Sequence, residues 1–208
     1  MILDNIEKIK SLLVFREGIF YYIQVIQRKK ENPDLQKTDY KRYQVFVTSK
    51  EDLERHLPRI IKTCEDYNAR AYISIIPRSL ERLAKACLKE YAERVCQEDY
   101  SRVWDIPNRA ALSPETKAPK ILPKPYRMFD VDEAEKCDGI IAFLRENRIN
   151  VLFKIPTPNG YHIIAEAFNP SCIAKYKKGE DYVFPDDIGR CTYREECNTI
   201  LYASWEIS

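Results

Sequence analysis

Glycine is scarce in this chain, five among 208 residues, and methionine, tryptophan and histidine occur twice each. Fourteen tyrosines and 12% aromatic content stand against those few glycines, a balance that fits a packed globular chain and excludes a low-complexity one. Neither sign of charge dominates. Lys and Arg total 34 against 32 Asp and Glu, a net +2, so the protein is neither a basic coat for nucleic acid nor an acidic disordered segment. Any nucleic-acid contact must therefore be a local patch. No apolar run approaches the ~20 residues that a membrane-spanning helix requires, and MILDNIEKIKSLL carries acids among its apolar residues with no signal-peptide cleavage region. The expectation is a soluble, cytoplasmic protein with no membrane partner. The seven cysteines contain no CxxC pair and no Cys/His cluster at zinc spacing. They read as reduced thiols, with a Cys191–Cys197 pairing as the alternative.

At 45% hydrophobic content, 208 residues suffice for one sizeable core or two small ones folded together. Ile2, Ile6, Ile9 and Leu13 fall at helical spacing and predict an opening helix over 2–13. GIFYYIQVIQ (18–27), YQVFVT (43–48) and ARAYISII (69–76) are rich in aromatic and β-branched residues and predict strands. KKENPDLQKTD between the first two reads as a loop. Ser49 and Ser79 are cap candidates for helices over about 50–67 and 80–100, the second with Leu80, Leu83, Ala84, Cys87, Leu88 and Tyr91 on one face. DIPNRAALSPETKAPKILPKP (105–125) holds five prolines and reads as a connector. Beyond it come a strand (126–132), a helix (about 133–147), a hairpin (150–156 and 161–167), a short helix near 170–178 and two short strands near 182–184 and 199–204. The expected organisation is one compact α/β (α+β) unit with a mixed sheet, made of an N-terminal part (1–104), the connector (105–125) and a C-terminal part (126–208).

In YRMFDVDE, strand alternation sends Tyr126, Met128, Asp130 and Asp132 to one face and Arg127, Phe129 and Val131 to the other. Positions i and i+2 are roughly 6 to 7 Å apart, close enough for two carboxylates to share oxygen-loving divalent cations. Left without a cation they would repel and raise one another's pKa. In the alternative, Asp132 and Glu133 open the next helix as cap and first-turn acids. Asn159-Gly160 is a hairpin-turn signal in VLFKIPTPNGYHIIAEAF, and that placement sets His162 just inside the turn, opposite Thr157. An imidazole there can donate to a phosphate oxygen or serve as a satisfied core histidine. His56, in EDLERHLPR, reads as a solvated surface residue.

FDVD followed some thirty residues later by TPNGYHII resembles the archaeo-eukaryotic primase (primase-polymerase) superfamily, and TPNGYHII with NTILYA looks like small primase-like proteins of phage and mobile elements. Asp130 and Asp132 match its first motif, and Gly160, Tyr161 and His162 its second. The resemblance implies an RRM-like palm with an N-terminal α/β unit packed against it. It also implies Mg or Mn on Asp130, Asp132 and a third acid, and nucleoside triphosphate bound by His162, so that Asp130, Asp132 and His162 form the catalytic set. Asp187 is the candidate third ligand, with Asp186 beside it and Glu206 as a fallback; neither aspartate in YVFPDDIG follows an apolar residue as the third motif asks. Arg70, Arg78 and Thr157 are the further nucleotide-binding candidates. QRKK, DYKRY and AKYKKG mix basic and aromatic residues as a template-strand groove would. The implied activity is nucleotidyl transfer onto a nucleic-acid end, DNA or RNA, single-stranded or primer-template. No zinc module or helicase domain accompanies the motifs, so replication proteins are expected partners. A non-catalytic nucleotide- or nucleic-acid-binding relative and a metal-dependent phosphodiesterase or nuclease are the alternatives.

Overall fold

The β-branched and aromatic runs form the strands of two sheets. The computed structural model describes residues 2–36, 38–117, 126–169, 182–183, 190–194 and 197–204, with 182–183 and 190–194 described by their backbone. The order begins β1 (Ile2–Asp4), α1 (Ile6–Lys10), β2 (Ile19–Gln27), β3 (Tyr40–Val47), α2 (Lys50–Asp66), β4 (Arg70–Ser74), β5 (Arg78–Ser79), α3 (Leu80–Cys96) and α4 (Ile106–Leu112). It continues with β6 (Tyr126–Val131), α5 (Cys137–Glu146), β7 (Val151–Pro156), β8 (Tyr161–Glu166), β9 (Tyr182–Val183), β10 (Arg190–Arg194) and β11 (Asn198–Ser204).

The first sheet runs β1-β11-β4-β2-β3, with β5 also on β2; the second runs β7-β8-β6-β10-β9. Strands alternating with helices predict a mixed sheet, yet every described pair is antiparallel. The reason is the same in both sheets. The crossover through α2 makes β3 and β4 parallel, but β2 fills the slot between them and is antiparallel to each. Likewise β6 and β7, joined through α5, flank β8. Each sheet is built on a split β-α-β unit.

Leu53, Leu57, Ile60 and Cys64 of α2 share a core with Ile23, Val25, Ala71 and Ile73 of the first sheet. Met128, Ile155 and Ile164 of the second sheet belong to that core too. The opposite face of the second sheet, Phe129, Val131, Ile163 and Ala165, packs on Cys137, Ile140, Ile141 and Leu144 of α5. Each fully buried Ile or Leu contributes about 1.5–3 kcal/mol relative to exposure. The second sheet is thus held between α5 and the first sheet. Polar groups add to the join: Asn5 Nδ2 donates to the Pro156 carbonyl at 3.2 Å and to the Ile200 carbonyl at 3.0 Å, and the Tyr126 hydroxyl to the Leu12 carbonyl at 3.0 Å.

Several elements differ from expectation. The opening helix is shorter, because Ile2–Asp4 pairs with β11 instead. Part of the Pro-rich connector is helical, with Ile106, Ala110 and Ala111 of α4 buried. The hairpin turn is centred on Pro158-Asn159: Thr157 N donates to the Gly160 carbonyl at 2.9 Å, and His162 lies opposite Ile155 rather than Thr157. β10, beside β6, was not foreseen. α3 ends at Cys96 and buries none of its side chains fully, with Leu88 68% exposed. His56 is no free surface residue, since its Nδ1 sits 2.7 Å from the Tyr43 hydroxyl. Cys64, Cys87, Cys96 and Cys137 are free thiols, whereas Cys191 and the helix expected near 170–178 lie outside the described side chains. No helix among the described residues is long and apolar enough to cross a membrane.

Candidate active site

Alternation along β6 separates its apolar from its acidic side as the pattern predicts. Phe129 and Val131 enter the core under α5, and Asp130, on the Met128 side, turns toward the first sheet. Asp132 lies one residue past the strand and is exposed. The alternative with Asp132 as cap and Glu133 in the first turn is not realised: Glu133 itself takes the cap position before the helical turn Ala134–Lys136 and makes no side-chain cap bond. The hairpin turn closes on this strand end. Gly160 lies so near that a Cβ would collide with the Val131 carbonyl oxygen and stand 3.1 Å from the Asp132 carbonyl carbon. Any larger residue would separate the hairpin from the acids.

His162 and Asp130 are direct partners across β8 and β6. His162 is 7% exposed, with Nε2 3.4 Å from Asp130 Oδ1 and Nδ1 2.9 Å from the hydroxyl of the fully buried Thr199. A Thr199 hydroxyl donating to Nδ1 leaves the ring proton on Nε2, on the carboxylate side. Strand β11 of the first sheet thereby sets the orientation of a side chain in the second.

The two sheets enclose a cavity of about 570 Å³. Asp130, Asp132, His162, Thr157 and Asn159 line it from the second sheet and its hairpin turn, and Asn198 from β11. Arg28, Lys30, Glu31, Arg70 and Tyr72 form the facing wall. Arg70 Nε donates to Glu31 Oε2 at 2.9 Å, and a second, shorter contact joins the same two side chains. Arg28 Nε is 2.9 Å from Asp39 Oδ2, and its NH1 donates to the Tyr72 hydroxyl at 3.2 Å. Burial works against the Arg28 charge, but Tyr72 and Asp39 outweigh it and the guanidinium's pKa is raised.

No family model, curated protein or solved structure matches the chain. The chemistry has to be read from the cleft itself. Five sequence candidates, Asp130, Asp132, His162, Thr157 and Arg70, line one cavity. Arg78 does not. It is fully buried beneath the stretch after α4, where its NH1 donates to the Ser113 carbonyl and the Thr116 hydroxyl, each at 2.8 Å. Asp186, Asp187 and Glu206 lie outside the described residues, among which no group of three His, Cys, Asp or Glu side chains could hold a metal. Sequence reasoning missed Tyr72, Thr199 and Asn198, and had Arg28 and Lys30 only as members of the basic run QRKK.

Proposed function

We propose that the chain is a primase- or polymerase-like nucleotidyltransferase that uses Mg or Mn and nucleoside triphosphates on a nucleic-acid end. One observation carries this: two carboxylates at a strand end, a fixed imidazole and a wall of three cations line the same cleft. The strand order supports an RRM-like palm of the archaeo-eukaryotic primase type. The series β6-α5-β7-β8 followed by β10 lies in the spatial order β7-β8-β6-β10, the order of a four-stranded RRM sheet. The close approach of Gly160 to Val131 gives a physical reason for a small residue two places before the histidine.

Two oxygen donors suit Mg or Mn, which bind through one or two carboxylates together with water and substrate phosphates. Asp130 and Asp132 would hold the ion. Bound there, it would supply charge stabilisation to the transferred phosphoryl group and to the attacking and leaving oxygens. His162 Nε2 would donate to a phosphate oxygen, and Lys30, Arg28 and Arg70 would balance the remaining charge. Arg70 can do so only by exchanging Glu31 for phosphate. A second reading is a site that binds nucleotide without turnover, because neither aspartate of YVFPDDIG fits the third acid of the motif.

Calorimetric titration with ATP and manganese, followed by extension of a labelled primer, tests both. The expected result is binding lost in Asp130→Asn, and binding weakened roughly tenfold to a hundredfold in His162→Ala with manganese binding retained. Binding without extension leaves the second reading; cleavage of the labelled strand leaves a metal-dependent phosphodiesterase. A folded wild-type protein that binds no nucleotide overturns the proposal.

A further inference from the structure

β3 is the outermost described strand of the first sheet at its β2 side. On it the Arg42 guanidinium is stacked between two rings, 4.4 Å from the centroid of Tyr40 and 4.3 Å from that of Tyr67. Both tyrosines remain open to solvent, 55% and 42% exposed, although their size would ordinarily favour burial. The stack is fixed in place. Arg42 Nε donates to Gln27 Oε1 at 2.8 Å, Gln27 Nε2 to Asn32 Oδ1 at 3.0 Å, and Asn32 Nδ2 to the Arg28 carbonyl at 2.9 Å. Residues 28–31 of that same loop supply Arg28, Lys30 and Glu31 to the cleft wall. One short segment therefore joins the aromatic stack to the candidate active site.

Charge along this edge favours an anion. Lys29, Lys30 and Lys41 are exposed, and Arg59 lies 4.4 Å above the Tyr43 ring one position along β3. Three nearby carboxylates are engaged, Asp39 with Arg28 at 2.9 Å, Asp66 with Lys62 at 2.9 Å, and Glu65 as acceptor of the Tyr202 hydroxyl at 2.9 Å, while Asp34 of the same loop is exposed. Exposed flat rings beside phosphate-pairing cations are the combination by which proteins hold unpaired nucleotides: bases stack, phosphates pair, and sequence matters little. A duplex keeps its base faces buried and cannot use the rings.

We infer that the β3 edge, through Tyr40, Arg42 and Tyr67, binds single-stranded nucleic acid and leads it over the Lys29–Glu31 segment into the cleft. The inference deepens the proposed function and rests on it for where the strand goes. Fluorescence anisotropy with a labelled oligothymidylate of about 20 nucleotides at low salt is the test. Tyr40→Ala and Tyr67→Ala are each expected to weaken binding about tenfold. Tyr40→Phe, which keeps the ring, is expected to bind as wild type, and manganese–ATP binding is expected to be the same in all. Both tyrosines are exposed, and unchanged thermal midpoints will show that the variants fold. A double Tyr40→Ala/Tyr67→Ala variant that binds the strand as wild type overturns the inference, as does a duplex of equal length bound as tightly with the same tyrosine dependence. Tyrosine-dependent strand binding without manganese–ATP binding sustains this surface and sinks nucleotidyl transfer. Manganese–ATP binding with no strand binding does the reverse.

Discussion

Alanine at position 160 would drive its methyl into the Val131 carbonyl oxygen, so either the hairpin turn or the end of β6 must move. Overpacking of this kind costs about 1–3 kcal/mol, and the displaced backbone carries Asp132. Gly160→Ala is therefore expected to lower the unfolding free energy by that amount in urea titration and to weaken manganese–ATP binding, a joint loss that a remote destabilising substitution would not produce. Residue by residue, legibility followed distance along the chain. Asp130 and His162 could be placed because alternation fixes which way a strand side chain points, whereas Asp132 falls one residue beyond the end of β6, outside that rule. Thr199 could not, since its contact with His162 spans 37 residues and a sheet boundary. Arg78 was misplaced because being next to a strand carries no information about the 113–117 stretch that folds over it.

Among the elements, Ser49 and Ser79 cap α2 and α3 as their spacing predicts, accepting from the backbone N–H of Asp52 and Arg82 at 3.0 and 3.3 Å. Caps and hairpins are local and leave a local signature. Strands β1 and β10 depend on distant partners, which is why Ile2–Asp4 passed for the start of a helix, whereas the apolar run of β11 was read near 199–204. α2 also tolerates Pro58 inside it, on an exposed position, where no N–H can reach the Glu54 carbonyl. Proline in a helix interior is disfavoured by about 3 kcal/mol relative to alanine, so Pro58→Ala is expected to stabilise the protein by up to about that figure in urea titration, with nucleotide binding unchanged. The mixed-sheet expectation failed at this scale as well: a β-α-β pattern makes its two strands parallel but does not say what lies between them.

Over the whole molecule, the shared core places several titratable groups out of water. Burial pushes the Cys64 thiol up from 9.0 to about 12, and the Tyr21 phenol from 10.0 to about 12; burial, with Glu65 beside it, does the same for Tyr202. Each group holds its proton longer folded than unfolded, so its contribution to stability is full below the unfolded pKa and disappears as pH rises through the folded one. Urea midpoints are expected to be level near neutrality and to fall from about pH 9 toward pH 12, and Cys64→Ala is expected to shallow the decline. A rise in stability over that window would contradict the burial of these groups. The position of β11 has a separate consequence for how the protein is made. Residues 198–204 form the strand between β1 and β4, so during synthesis the first sheet has a gap until β11, the last described strand in chain order, has left the ribosome. Until then the nascent chain exposes two unpaired edges, and a product terminated before residue 198 would be a substrate for chaperones rather than a folded half-protein.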